Sequence, residues 1–68
     1  MNLFDAKPRS YVKLLEDAKV PLGGLPVRKG DTIFFDHIDG MYSYCRLEIA
    51  DGVTERVHPA AWTEVEPA

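Results

Sequence analysis

This 68-residue sequence lacks several features that stabilise or localise many small proteins. It has one cysteine, Cys45, so no disulfide can form within the chain. No apolar run approaches the roughly 20 residues of a membrane-spanning helix, and residues 1–10 show neither the apolar core nor the cleavage site of a secretory leader. We therefore expect a soluble, cytoplasmic protein with no membrane partner.

Positive charge is scarce in the second half of the chain. Residues 1–29 carry six Lys and Arg against three acids, whereas residues 30–68 carry two against eight, and the formal net charge is −3. The favoured interpretation is that strands of opposite charge lie beside one another in the fold. The net acidity argues against a surface that follows nucleic-acid phosphates, so a nucleic-acid partner is not expected.

Two hairpin signatures are the strongest structural signal in the sequence. Asp39-Gly40 and Asp51-Gly52 each separate runs of branched and aromatic residues, and Asp-Gly supplies the positive φ that tight hairpin turns require. The pattern predicts strands over residues 32–38, 41–50, 53–58 and 63–66. Pro59 ends the third of these because proline cannot donate to a ladder, and a 3₁₀ turn is predicted at residues 60–62.

The N-terminal third fits more than one structure. Residues 1–10 have no period and are predicted to be a weakly ordered lead-in, with Leu3 and Phe4 as packing anchors. Residues 9–19 fit a strand, which gives an all-β fold, or a helix packed on a four-stranded sheet, which gives an α+β fold. Residues 11–68 form a single domain in both cases. The predicted core consists of Leu14, Leu25, Val27, Ile33, Phe35, Cys45, Leu47, Ile49 and Val65.

Four segments together resemble the family of SH3 and SH3-like barrels, in the right order and at the right spacing. They are YVKLLED (residues 11–17), LPVRKGD (25–31), DGMYSYC (39–45) and HPAAWTEV (58–65). The resemblance covers roughly residues 11–66. It implies a five-stranded barrel and favours a strand over a helix at the N-terminal end of the domain.

SH3 domains bind extended proline-rich peptides in a shallow aromatic groove. The resemblance implies that Tyr42 or Met41, Pro59 and Trp62 line this groove, but Glu16 and Ala18 stand where the family has aromatic residues. From the strand pattern, Tyr42 and Tyr44 share a solvent face. The predicted binding site is Tyr42, Tyr44, Pro59 and Trp62, with Glu16 and Asp39 as charge selectors at its rim. The alternative is that the lead-in covers Trp62 and makes it part of the core.

The favoured function is a small non-enzymatic module that binds another protein, with no cofactor. Spacings typical of a nucleophile or a closed metal site are not found among the candidate side chains, which are His37, His58, Cys45, Asp36 and Asp39. A weaker resemblance to small accessory proteins of tailed bacteriophages implies a protein that binds and modulates a host or phage target.

Two other functions stay open. One is a nucleic-acid-binding barrel of the Tudor or KOW type, in which Tyr42, Tyr44 and Trp62 would stack on bases. The other is an oligomeric enzyme similar to type II dihydrofolate reductases, with which the sequence shares only a general closing pattern, and a homo-oligomer is therefore also open. The residues of that pattern are Val57, Pro59, Ala60, Ala61 and Glu64.

Overall fold

The computed structural model describes residues 1–68 and contains one antiparallel sheet of five strands. The strands are β1 (Ser10–Leu14), β2 (Thr32–Asp39), β3 (Tyr42–Ala50), β4 (Val53–Val57) and β5 (Val65–Pro67). Their order across the sheet is β4-β3-β2-β1-β5, so the first and last strands are neighbours. The prediction of a β fold is confirmed. The alternative helix over residues 9–19 is wrong, because β1 occupies much of that stretch.

Both predicted hairpin turns are present. Gly40 connects β2 to β3 with a φ of 66°, and Gly52 connects β3 to β4 with a φ of 74°. A side chain is rarely accommodated at such angles, which explains why glycine follows aspartate at both turns. The two turns fix the register in which β2, β3 and β4 pair with one another.

Alternation along the strands places the core on one face of the sheet. Val12 and Leu14 of β1 and Ile33 and Phe35 of β2 are buried, while Tyr11 lies on the opposite, exposed face. Strand periodicity predicts this division because successive side chains point to opposite faces. The buried cluster consists of Leu3, Ala6, Val12, Leu14, Val27, Ile33, Phe35, Cys45, Val57 and Val65.

Two of the predicted core residues are exposed. Leu25 lies in the irregular connection between β1 and β2, where no ladder imposes alternation, whereas Val27 in the same connection is buried. Ile49 lies beyond the last residue of β3 that pairs with β2 and at a register shift between β3 and β4. No third strand covers that end of the hairpin, so Ile49 faces solvent. Leu47 is half-buried and packs against the core.

The N-terminal segment, predicted to be a lead-in, packs against the C-terminal part of the chain. The Leu3 amide donates to the Thr63 carbonyl at 3.0 Å, the Val65 amide donates to the Met1 carbonyl at 2.7 Å, and Leu3 is completely buried. The only helix is a 3₁₀ helix, Leu3–Asp5, which is far too short to cross a membrane.

The turn predicted at residues 60–62 is present as a single hydrogen-bonded turn, and the 3₁₀ helix lies elsewhere, at Leu3–Asp5. The Asn2 side chain caps the helix at Leu3–Asp5 by accepting from the Asp5 amide at 3.2 Å. At residues 60–62 the chain makes one hydrogen-bonded turn, in which the Thr63 amide donates to the Ala60 carbonyl at 3.0 Å.

Residues 58–64, which we call the crossing segment, connect β4 at one edge of the sheet to β5 at the other. The Ser43 amide donates to the Pro59 carbonyl and the Ala61 amide donates to the Met41 carbonyl, both at 2.8 Å. The crossing segment is thus hydrogen-bonded to the start of β3 on one side and to the N-terminal segment on the other. It covers one end of the core, and Ala60 and Ala61 are buried within it.

Two isoleucines in neighbouring parts of the sheet provide a matched test of the core. Ile33→Ala removes a fully buried side chain and should lower the free energy of unfolding by about 2 to 5 kcal/mol. Ile49→Ala makes the same chemical change at an exposed position and should alter stability by only about 0.5 kcal/mol. Urea denaturation of both variants measures the difference. Equal losses of stability would contradict the placement of these two residues.

Candidate functional site

The tyrosines of the predicted site lie at the start of β3, beside the turn that follows β2. Tyr42, Tyr44 and Asp39 line one shallow depression of about 280 Å³. The other residues lining it are Pro21, Ser43 and His58. The structure therefore brings together three of the six residues that the sequence predicts for the site.

Two histidines hold the ring of Tyr44. The ring stacks on His37, with 4.8 Å between centroids and 12° between planes, and it meets the edge of His58 at 4.9 Å. A carbonyl oxygen can only accept, so in the contact of 3.1 Å between His58 Nδ1 and the Ser43 carbonyl the Nδ1–H group is the donor. The Tyr44 ring is consequently held in place by both histidines, and His37 covers one of its faces.

Trp62 belongs to a separate surface on the other side of the Gly40 turn. Its side chain is 46% exposed and lies with Phe4 (69% exposed) and Met41 (65% exposed) around a shallow depression of about 380 Å³. Asn2, Gly40 and Ala61 complete the lining. We call the exposed side chains of Phe4, Met41 and Trp62 the Trp62 surface. The residues Asp39–Tyr42 separate it from the tyrosine depression.

The remaining two predicted site residues lie elsewhere. Pro59 is fully buried, and its carbonyl accepts from both the amide and the hydroxyl of Ser43, at 2.8 and 2.7 Å. Glu16 accepts a hydrogen bond of 3.0 Å from the Glu64 amide through its Oε2 and does not line either depression. Pro59 and Glu16 thus anchor the crossing segment from opposite ends.

Asp36 and His37 contact each other directly. The sequence suggests that neighbours on a strand point to opposite faces, but the register of β2 shifts between Phe35 and His37. This irregularity lets Asp36 Oδ2 and His37 Nδ1 approach to 2.9 Å. No group of three or more His, Cys, Asp or Glu side chains in the chain is arranged to hold a metal ion.

Sequence reasoning missed the contribution of Ser43, and it gave Met41 only as an alternative to Tyr42 in the groove. It treated Phe4 as a packing anchor of the lead-in and not as part of an exposed surface. Ser43 lies on the buried face of β3, between the two tyrosines. A small polar residue at a core-facing strand position is the signal that could have identified it, because a buried hydroxyl requires a partner.

Ser43 also determines the state of Cys45. The Ser43 hydroxyl donates its one hydrogen to the Pro59 carbonyl, so at the contact of 3.3 Å between Oγ and Sγ the thiol is the donor. Burial raises the pKa of the Cys45 thiol from its ordinary 9.0 to about 11. Cys45 is therefore a protonated core residue and not a nucleophile.

Removing the Ser43 hydroxyl should loosen the crossing segment. Ser43→Ala deletes the hydrogen bond to the Pro59 carbonyl and leaves the Cys45 thiol without an acceptor, so we expect a loss of about 1 to 3 kcal/mol in unfolding free energy. Ser10→Ala is the control, because the Ser10 hydroxyl makes an exposed hydrogen bond of 2.6 Å to the Lys7 carbonyl. Similar melting temperatures for the two variants would show that the buried bond contributes little.

The thiol of Cys45 should react slowly in the folded protein. A pKa of about 11 in place of 9.0 lowers the thiolate fraction at neutral pH about a hundredfold, and burial restricts access further. Labelling by an aromatic disulfide reagent should therefore require unfolding. Rapid labelling in buffer, at the rate seen in urea, would contradict the buried placement.

The same shift predicts a dependence of stability on pH. The folded state holds the Cys45 proton more tightly than the unfolded chain does, so the group leaves stability unchanged below pH 9 and lowers it as the pH rises towards 11. In Cys45→Ala this component is absent. The fall in melting temperature above pH 9 should be shallower in the variant than in the wild type, and identical slopes would count against the raised pKa.

Comparison with protein-family models, with curated proteins and with solved structures gives no match for this chain. What the protein binds is accordingly inferred from its own exposed side chains and from the elements that hold them.

Proposed function

We propose that the sheet has the architecture of a small SH3-like barrel. The adjacency of the first and last strands supports this, as does the crossing segment, which spans from the start of β3 to the N-terminal segment. Both features are expected of a small sheet that curls around a single core. A barrel of this kind leaves its turns and its outer face free for contacts with other molecules.

We propose that the protein is a non-enzymatic module that binds another protein through the Trp62 surface. The observation that supports this is the exposure of three large apolar side chains, Phe4, Met41 and Trp62, around one depression. Scattered apolar side chains are common on soluble proteins, but a contiguous group marks an interaction site. Trp is among the residues that contribute most to binding free energy at protein interfaces.

The backbone under the Trp62 surface supports the same function. The Phe4 amide donates to the Ala61 carbonyl at 3.0 Å, and the Ala61 amide donates to the Met41 carbonyl at 2.8 Å. Three segments distant in sequence are therefore held in one hydrogen-bonded layer. Such a layer positions the three side chains before a partner arrives, which lowers the entropic cost of association.

The tyrosine depression extends the proposed interface across the turn. Tyr42 and Tyr44 lie on one side of Gly40, and Met41 lies on the other, so a partner that covers the turn contacts both areas. Asp39 places a carboxylate at this rim and suits a partner with a basic side chain there. In keeping with the resemblance to phage accessory proteins, we propose a host or phage protein as the partner.

Substitution of Trp62 tests this function directly. Trp62→Ala should weaken binding of the purified partner by about 2 kcal/mol or more, which is about thirtyfold in Kd, because the exposed ring is the central apolar contact. The partner is first captured from the source cell on immobilised wild-type protein and identified by mass spectrometry. Its affinity for each variant is then measured by calorimetry.

Ile49→Ala is the matched control, since Ile49 is also an exposed apolar residue and lies far along β3 from Met41. It should retain wild-type affinity, and melting curves should show that both variants fold. Unchanged affinity in Trp62→Ala, with folding intact, would rule out the Trp62 surface. Light scattering addresses the oligomeric-enzyme alternative, because a monomer cannot build an active pore shared between chains.

A further inference from the structure

A row of four side chains crosses the outer face of the sheet and is separate from the Trp62 surface. Tyr11 lies opposite Phe34, Phe34 lies opposite Arg46, and Arg46 lies opposite Arg56, so one register position runs through four strands. None of the four lines the depression around Trp62. We call this set the arginine row. It consists of two aromatic rings followed by two guanidinium groups.

The two arginines lie side by side without an ion pair to either, although Asp36 lines the same depression. Like charges directly opposite each other on neighbouring strands are destabilising. Neither Arg46 nor Arg56 forms an ion pair, because the two pairs in the structure join Met1 to Glu64 and Asp36 to His37. Glu48 lies on the same face but does not pair with either arginine. Residues 30–68 contain no other Lys or Arg, and the fold places these two side by side.

An anion bound between the two arginines would relieve this repulsion. Guanidinium groups bind phosphate and carboxylate through paired hydrogen bonds, and two adjacent groups can share one phosphate. A shallow depression of about 430 Å³ lies at this position, lined by Phe34, Asp36, His37, Tyr44, Cys45, Arg46 and Arg56. It provides space for a phosphate group and the atoms attached to it.

The rings beside the arginines indicate which kind of anion fits. Tyr11 is 61% exposed and meets Phe34 edge to face, with 5.1 Å between the ring centroids. A second depression, of about 410 Å³, lies over this pair and reaches Arg46. Neighbouring strands are about 4.8 Å apart, so an accessible ring lies within about two strand spacings of a guanidinium group. A ligand with a planar ring close to a phosphate engages both features.

We propose that the arginine row binds single-stranded nucleic acid, with a phosphate held by Arg46 and Arg56 and the adjacent base stacked on Tyr11 and Phe34. Bases stack on aromatic side chains largely independently of sequence, while basic groups follow the backbone. An acidic peptide would use the arginines but would have no need of the rings. The net charge of −3 makes long-range attraction weak, so binding is local and strongest at low salt.

Fluorescence anisotropy with a labelled single-stranded oligonucleotide of about 8 nucleotides tests the proposal. Binding should weaken as salt rises, with a slope of about −0.7 in log affinity against log salt for each phosphate contacted. Arg46→Ala and Arg56→Ala should each lower the affinity about tenfold and make that slope shallower. Tyr11→Leu should lower the affinity about fivefold or more without changing the slope.

Arg28→Ala is the matched control, because it changes the net charge by the same amount at an exposed position in the connection before β2. It should bind like the wild type, and melting curves confirm that each variant is folded. Equal losses in Arg28→Ala and Arg46→Ala would overturn the proposal, since binding would then depend on total charge alone. Absence of binding at the lowest salt would overturn it as well.

Competition identifies the source of the phosphate. A mononucleotide that displaces the oligonucleotide and shows the same dependence on Arg46 and Tyr11 would support the site, with free nucleotide as its ligand. Displacement by oligonucleotide alone would support a strand that contacts more than one position. Oligoglutamate that competes equally well, and without dependence on Tyr11, would show that the row takes an acidic protein and would overturn the nucleic-acid assignment.

Discussion

The buried contact between Ser43 and Pro59 is the interaction on which both sides of the molecule depend. The amide and hydroxyl of Ser43 both donate to the carbonyl of Pro59, in a region where no solvent can replace them. This contact holds the crossing segment against β3. It places His58 against the Tyr44 ring, and it brings Ala61 into register between Met41 and Phe4. The tyrosine depression and the Trp62 surface are therefore consequences of one buried polar contact.

The chain obtains a core without a disulfide by using its N-terminal segment. A domain of this size buries only about 60% of its unfolded surface, so each additional core residue matters. Leu3 and Ala6 join the buried cluster because residues 1–5 are hydrogen-bonded to residues 61–65. The contact between the two ends leaves Phe4 pointing outward beside Trp62. The same pairing between the two ends therefore buries Leu3 in the core and leaves Phe4 exposed on the surface.

The two proposed binding areas differ in chemistry and position. The Trp62 surface is apolar, lies at the end of the sheet near the Gly40 turn, and suits a protein partner. The arginine row lies on the outer face of the sheet and combines rings with positive charge, although the chain as a whole is acidic. No residue of the arginine row lines the depression around Trp62, but Tyr44 lines both the tyrosine depression and the depression beside the two arginines. Variants at Phe4, Met41 and Trp62 therefore leave the arginine row unchanged, whereas a variant at Tyr44 alters both areas.

The local sequence pattern predicts both hairpin turns, the strands that flank them and the inward face of β2, since glycine at positive φ and alternation of side chains are local properties. It left residues 9–19 open between a strand and a helix. The sequence also identified Tyr42, Tyr44 and Trp62 as the aromatic residues of a candidate binding site. The exposure of Leu25 and Ile49 and the burial of Leu3 and Pro59 depend on packing between distant segments. The contacts between aromatic rings and the pairing of Arg46 with Arg56 likewise depend on tertiary structure. These outcomes depend on where strand pairing stops, where register shifts, and how segments more than 50 residues apart are hydrogen-bonded. Such long-range pairings leave no periodic trace along the chain.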